Sequence, residues 1–299
     1  MFTKERVVFI YTVSPLHMGA GTALGLIDNP IQREVHTDWP SMAGSGIKGA
    51  IRHALAADSG WKNGSLAAIF GPEPRPGAGL YAGAISFTDA QIVCFPVRSL
   101  KRAYVYASCP AALARLKRLM HATWEVPNVM EQDAWIANDE LKQGEHLILE
   151  SLAFNAKKQE LVRLIAEDLA TKALPEGFFA EKLATDFAIL SDTDFTYFVK
   201  NSTLIEPHVC IDDNTGTAKS GGLFYTENLP PETLMVSLAM ASQVRDGKTK
   251  MDAAAVIKEI SEMLDGGHNG SQIWQFGGDT TTGRGLVMLR LPDRGGDHE

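Results

Sequence analysis

Cysteine is scarce. Cys94, Cys109 and Cys210 are the only three in 299 residues, and no C-x-x-C spacing occurs. An odd, scattered set excludes a disulfide framework and a thiolate zinc site, and it fits a reducing cytoplasm. Cations are outnumbered, 28 Lys and Arg against 36 Asp and Glu, for a formal net charge of −8. A free-standing nucleic-acid binder is more often basic, so the whole-chain charge argues against one. Long apolar runs are missing too, and none approaches the ~20 residues that span a membrane. The short run Val7–Val13 follows two cations, but Ser14, Pro15 and His17 come directly after it. A buried strand explains it better than a signal segment. The histidines show no H-E-x-x-H spacing and no Ser/His/Asp arrangement, which removes zincin and serine-hydrolase chemistry.

What is present is unevenly placed. Arg98, Lys101, Arg102, Arg115, Lys117 and Arg118 form a basic stretch, while acidic residues collect between Glu131 and Asp194. A basic groove on an acidic body fits a subunit whose other surfaces meet proteins.

The periodicity predicts a strand over 6–14, rich in Val, Phe, Ile and Tyr. A helix is predicted over 45–57, with Ile47, Ala50, Ile51, Ala54 and Leu55 on one face and Ser45 as N-cap. Residues 71–79 read as a loop. Residues 85–87 and 91–97 read as strands paired around Thr88-Asp89-Ala90. Helices are predicted over 110–121, with Leu113, Leu116 and Met120 inward and Arg115 and Arg118 outward, and over 160–170. Residues 99–182 therefore read as a mainly helical insertion. Residues 195–225 are polar and turn-rich around Asp212-Asp213-Asn214-Thr215-Gly216, the pattern of a protruding hairpin. Alternation over 233–240 predicts a strand, helical spacing returns over 252–264, and short strands over 272–276 and 285–291 bracket a glycine loop. That order is α+β: a ferredoxin-like (RRM-like) core with two decorations.

Three segments carry chemistry. The run Gly44-Ser45-Gly46-Ile47-Lys48-Gly49-Ala50-Ile51-Arg52 offers free N–H groups at a helix start, with Lys48 and Arg52 on one face. A capped amphipathic helix with solvated cations explains it equally. In Gly277–Gly285, Gly277, Gly278 and Gly283 can turn N–H groups into one concavity, with Thr280, Thr281 and Arg284 as added donors. A plain hairpin loop is the alternative, and the loop lacks a G-K-[ST] ending. Third, His17 and Asp28 flank Gly19 and Gly21. Asp28 can hold a divalent cation or take a proton, and His17 can work as acid or base near neutrality. An Asx turn before Pro30 and a structural histidine are the plainer readings. Tyr225 and Glu227 sit on a strand that enters the turn Asn228-Leu229-Pro230-Pro231.

Together these segments resemble the RAMP superfamily of CRISPR effector proteins, and within it the repeated backbone subunit of type III-B complexes. The likeness is carried by Ser14-Pro15-Leu16-His17-Met18-Gly19-Ala20-Gly21 and Leu26-Ile27-Asp28-Asn29-Pro30-Ile31-Gln32-Arg33-Glu34. It continues through Gly46–Arg52, Phe87–Ala90 with Phe95–Leu100, Ile211–Thr217, Leu223–Thr233 and the C-terminal glycine loop. The matches run in order from about residue 7 to 291. The resemblance implies a single RAMP domain over 1–299. Its palm would span about 1–98 and 222–291, its insertion 99–182, its thumb hairpin 195–221 and its tail 292–299. It implies copies stacked in a filament on one guide RNA with other subunits of the complex, in the cytoplasm and away from membranes. Each copy would cut bound target RNA at regular intervals, as an endoribonuclease using Mg²⁺ or another divalent cation held by Asp28. By the same likeness His17, Tyr225 and Glu227 lie near the scissile bond. Gly44, Ser45, Gly46, Lys48, Arg52, Gly277, Gly278, Thr280, Thr281, Gly283 and Arg284 would bind the guide. The thumb segment Glu206–Cys210 departs from the pattern, because it has no cation where an arginine is expected. Alternatives are a non-catalytic guide-RNA scaffold, a backbone subunit of another type III complex, and a metabolic enzyme that holds a phosphorylated small molecule in its glycine loops.

Overall fold

The computed structural model describes residues 2–23, 25–57, 63–73, 81–266 and 273–292. The chain forms, in order, β1 (Lys4–Thr12), β2 (Ser41–Met42), α1 (Gly44–Ala56), α2 (Asn63–Phe70), β3 (Ile85–Phe87), β4 (Ala90–Arg98), β5 (Tyr104–Ser108) and α3 (Pro110–Met120). Then come β6 (Asp133–Ile136), β7 (Lys142–Gln143), β8 (His146–Leu149), β9 (Leu152–Lys158), α4 (Glu160–Ala173), α5 (Phe178–Thr185), β10 (Phe187–Leu190) and α6 (Asp192–Asn201). Last are β11 (Leu204–Ile211), β12 (Ala218–Asn228), β13 (Leu234–Ala241), α7 (Ala253–Gly266), β14 (Ile273–Gln275) and β15 (Leu286–Arg290). Most of the expected loop over 71–79, and the tail beyond 292, lie outside the described residues.

Thirteen strands make one mixed sheet in the order β14-β15-β1-β13-β4-β5-β10-β6-β9-β8-β7, with β2 on β4 and β3 on β13. Both faces are covered. Along β1, Val8 and Ile10 enter one core with α1 and α7, while Val7, Phe9 and Tyr11 enter a second core with α3 and α4. Burial on both faces turns β1 into a near-continuous apolar run. The strand β13 divides in the same way, so its apparent alternation marked only one of its two buried faces.

Four expectations change. The segment 99–182 contains α3, α4 and most of α5, but it also carries β5 to β9, so it is not mainly helical. Strands of two to seven residues are too short to show a period of two beside 11- and 14-residue helices. The strands β3 and β4 do not pair with each other; both lie along β13. Thr88 interrupts them, since its N–H donates to Leu238 O and its Oγ1 accepts from Leu238 N–H. Residues 195–201 belong to α6, not to the hairpin: Phe195, Phe198 and Val199 are buried at i, i+3, i+4 behind an N-cap at Ser191. Finally, Arg115 does not point into water. Its Nη1 donates to both oxygens of Glu34 at 2.9 and 3.0 Å, and the guanidinium lies over Trp39.

The pair β11–β12 stands apart as a two-stranded hairpin from Leu204↔Asn228 to Ile211↔Ala218. Its tip is an Asx turn at Asp212, whose Oδ1 accepts from the N–H groups of Asn214 and Thr215. The arm below the tip is less polar than expected, because Val209, Ile211 and Leu223 are about half exposed.

Candidate active site

The site gathers at the root of this hairpin. The segment 16–31 leaves β1 and runs back along β12. Leu16 and Leu229 exchange N–H···O bonds, Asn29 N–H donates to Tyr225 O, and Glu227 N–H donates to Asn29 O. Asp28 is thereby set beside Tyr225, whose N–H donates to Asp28 Oδ2 at 2.8 Å. Its other oxygen, Oδ1, has no partner among the described residues. No Asx turn forms, since Pro30 has no N–H to donate; Asp28 bonds to β12 instead, which leaves one carboxylate oxygen for chemistry.

His17 Nδ1 lies 2.8 Å from Glu227 O. A carbonyl only accepts, so Nδ1 carries a proton, and Nε2 is the ring nitrogen left for proton transfer. A Cβ at Gly19 would stand 2.9 Å from Nε2. Glycine there keeps that nitrogen uncovered.

Glu227 is brought to the same place but faces inward. Its side chain is 4% exposed, and Oε1 accepts from Arg33 at 2.5 Å and from Thr203 Oγ1 at 2.8 Å, while Oε2 accepts from Ile31 N–H. It organises the loop and is not free to meet substrate. The Tyr225 ring is exposed at the site's edge.

The C-terminal glycine loop packs on His17. Gly278 N–H donates to His17 O, and a Cβ at Gly277 would come within 2.3 Å of that oxygen. Gly285, at φ 80°, donates to Pro15 O and lies so close to Phe276 O that only glycine fits. Arg284 pairs with Glu206 on the hairpin. Thr280, Thr281 and Gly283 remain exposed.

The helix start at α1 departs most from expectation. Gly44, Gly46 and Gly49 have G-x-G-x-x-G spacing, yet the N–H of Gly44 is taken by Asp89 Oδ1 at 2.8 Å. Ser45 is not the N-cap: the helix opens at Gly44, after Ala43, and Asp89 supplies the anion from across the sheet. Gly44 is glycine because a Cβ would meet Phe87 O at 2.1 Å. Lys48 Nζ donates to Ile85 O at 2.8 Å, and burial beside Arg52 lowers its pKa. Arg52 lies 3.9 Å from Glu73. Ser45, Gly46 and Gly49 stay exposed here.

Gln32, Arg33, Asp89 and Thr203 were missed by sequence reading. Gln32 joins the two halves, accepting from Ala43 N–H and donating to Gly19 O. With Gly19, Ala20, Arg33, Ser41, Ala43 and Asp89 it lines a cleft of about 370 Å³. Lone polar residues in non-periodic segments carry no pattern that reveals such roles.

Among the described residues no three His, Cys, Asp or Glu side chains converge on a metal site. Asp28 contributes one open carboxylate oxygen. That suits Mg²⁺, which is commonly held by one or two carboxylates together with substrate phosphate and water. Among the described residues no helix is long and apolar enough to cross a membrane.

Comparison with known proteins agrees with this architecture. Residues 9–287 match the RAMP superfamily. The chain is 36% identical over 307 residues to the CRISPR system Cmr endoribonuclease Cmr4 of Pyrococcus furiosus, covering 99% of each chain. It superimposes on the crystal structure of oligomeric Cmr4 from Pyrococcus furiosus with a TM-score of 0.74 and 30% identity, covering 97% of this chain and 98% of that one. It also shares its fold with a chain in the type III-B Cmr-beta complex bound to cognate target RNA, at a TM-score of 0.73, 19% identity and 97% coverage of both. The chain therefore belongs to the RAMP superfamily, and within it to the Cmr4 group.

Proposed function

We propose that this chain is the repeated backbone subunit of a type III-B CRISPR effector. It would line a guide RNA with other copies of itself, meet other subunits of the complex, and cut complementary target RNA in the cytoplasm. The observation that carries the cutting role is the pairing at the hairpin root: Asp28 with one oxygen open, and His17 with Nε2 uncovered. The family relation supports the backbone role, since the relative at 36% identity is called an endoribonuclease and its structure is called oligomeric.

The reaction is attack of a 2′-oxygen on the adjacent phosphorus, with loss of the 5′-oxygen. His17 Nε2 or Asp28 Oδ1 takes the 2′-proton. The leaving 5′-oxygen, on the far side of phosphorus from the 2′-oxygen, takes its proton from water, and the Tyr225 phenol lies at the rim. Where His17 is the base, Asp28 would be free to hold a divalent cation, which would supply charge stabilisation at the phosphate. The chain's own part is chiefly positioning, because A-form stacking holds the 2′-oxygen out of line and a hairpin inserted at the cut can splay the backbone. The exposed hydroxyls of Ser45, Thr280 and Thr281 are open to guide phosphates, whereas the N–H groups of Gly46 and Gly283 already donate to Ala43 O and Thr280 O. Lys48, Arg52 and Arg284 lie against internal partners, and the N–H groups of Gly44 and Gly278 are already bonded.

The test is Asp28→Asn in the assembled complex, with cleavage and target binding measured together in Mg²⁺. Cleavage should fall by about a hundred- to ten-thousand-fold with binding intact, and wild-type products should end in a 2′,3′-cyclic phosphate. Cutting at the wild-type rate would reduce Asp28 to a structural residue, and 3′-hydroxyl ends would mean attack by water. A scaffold without catalysis would bind target and leave it whole in the wild type.

A further inference from the structure

One half-buried guanidinium joins three segments at the site: its own loop, the end of α6 and β12. Arg33 Nη1 donates to Asp38 O at 2.8 Å, closing its own loop, and to Val199 O at 3.1 Å, at the end of α6. Its Nη2 reaches Glu227 Oε1 at 2.5 Å. Glu227 in turn touches the chain on both sides of the cutting residues. Its Oε2 holds Ile31 N–H, its N–H holds Asn29 O, and its carbonyl holds His17 Nδ1. Thr203, between α6 and β11, completes the carboxylate's shell. Two residues before Glu227, Tyr225 N–H holds Asp28.

Two properties single this arrangement out. The pair is withdrawn from water, with side-chain exposures of 16% for Arg33 and 4% for Glu227. A withdrawn pair resists sliding because every displacement leaves a charge without a partner. The contacts are also geometric. A guanidinium presents donors in a fixed planar fork, so three acceptors on three segments fix one relative placement. A lysine ammonium has the charge but not the fork.

We propose that Arg33, acting through Glu227 and seconded by Thr203, is a positioning residue for RNA cleavage. It sets the Asp28 loop and His17 in register with the hairpin that presents the scissile phosphate. Neither side chain reaches the reacting atoms. The inference rests on the assignment of Asp28 and His17 made above. It explains why the hairpin begins directly after α6: the arm is anchored to the same guanidinium as the loop it serves.

The experiment uses purified, assembled complex with target RNA bound beforehand, so that folding and binding defects drop out of the rate. Single-turnover cleavage is measured for wild type, Arg33→Lys, Thr203→Val and Asp28→Asn. Arg33→Lys should cut about a hundredfold more slowly at unchanged target affinity, the scale of a displacement near 1 Å. Thr203→Val should lie between it and wild type. If Arg33→Lys fails to assemble, Thr203→Val decides the matter, and a bound-state rate within twofold of wild type overturns the proposal. A full-speed Arg33→Lys beside an inactive Asp28→Asn overturns the positioning role alone. A full-speed Asp28→Asn overturns the active-site assignment and this inference with it.

Discussion

Two glycine-rich segments look alike on paper and behave differently in the fold. Gly44–Gly49 opens α1, and Gly277–Gly285 links β14 to β15. In the first, Gly44 is required by close packing on Phe87, its N–H already has a carboxylate in Asp89, and Gly46 and Gly49 face open space. In the second, three glycines let the loop lie against Pro15, His17 and Phe276, and its N–H groups hold the backbone of the site. Glycine signals close approach of something, but only the fold says whether that is a ligand or another strand of the same chain. Here the second segment builds the site by holding His17.

Substitutions can break or sharpen this contrast, and the largest effect belongs to the second loop. Gly285→Ala should cost at least about 3 kcal/mol, from left-handed strain and contact with a backbone oxygen. Thermal unfolding of the isolated chain reads this, and an unchanged midpoint would mean that the loop can relax away from Phe276. Gly19→Ala comes next. It should leave the fold intact but cover His17 Nε2, lowering cleavage by about a hundredfold or more if that nitrogen moves the proton. Wild-type rates there would acquit His17 of proton transfer. Gly46→Ala should act in the opposite direction and stabilise α1 by roughly 0.5–1 kcal/mol, since an added methyl meets nothing. Weaker guide binding in that variant would mark a phosphate lying against Gly46.

The smallest effect concerns Lys48. Burial and Arg52 lower its folded pKa below the ordinary lysine value of 10.5. Below the folded pKa both states are charged and the burial cost is fully present. As pH climbs through that value toward 10.5 the folded state sheds its proton first, so the unfolded chain binds more protons and stability rises. Wild type should therefore gain on Lys48→Met across that window, seen as a converging pair of melting curves. The same substitution should leave the salt dependence of guide binding unchanged. A slope shallower by about one counterion would return Lys48 to the RNA surface.

Legibility followed periodicity. The helices α1, α3, α4 and α7 and the strands β1, β13 and β15 were readable because each repeats an apolar spacing over enough residues to show it. Short strands such as β7 and β8 were not distinguishable, and α6 was hidden inside a polar segment despite its Phe195–Phe198–Val199 stripe. His17, Asp28, Tyr225 and Glu227 were singled out from the sequence, and the fold brings them to one hairpin root. Their roles were not equally visible. Glu227 and Arg33 have partners roughly 170 to 200 positions away in the chain, and no local pattern encodes such a distance.

The sequence by itself determined the α+β class, the core-facing stripes and the residues that carry the family likeness. Hydrophobic spacing and residue chemistry are local properties, and they survive without coordinates. Tertiary structure alone decided which carboxylate is free and which is spent. Asp28 keeps an oxygen open because β12 supplies one N–H and no more. Glu227 is closed because Arg33 and Ile31 of one loop and Thr203, between α6 and β11, converge on it. Such convergence is a property of the packed chain, where each buried charge must find its partners from whatever the fold brings near.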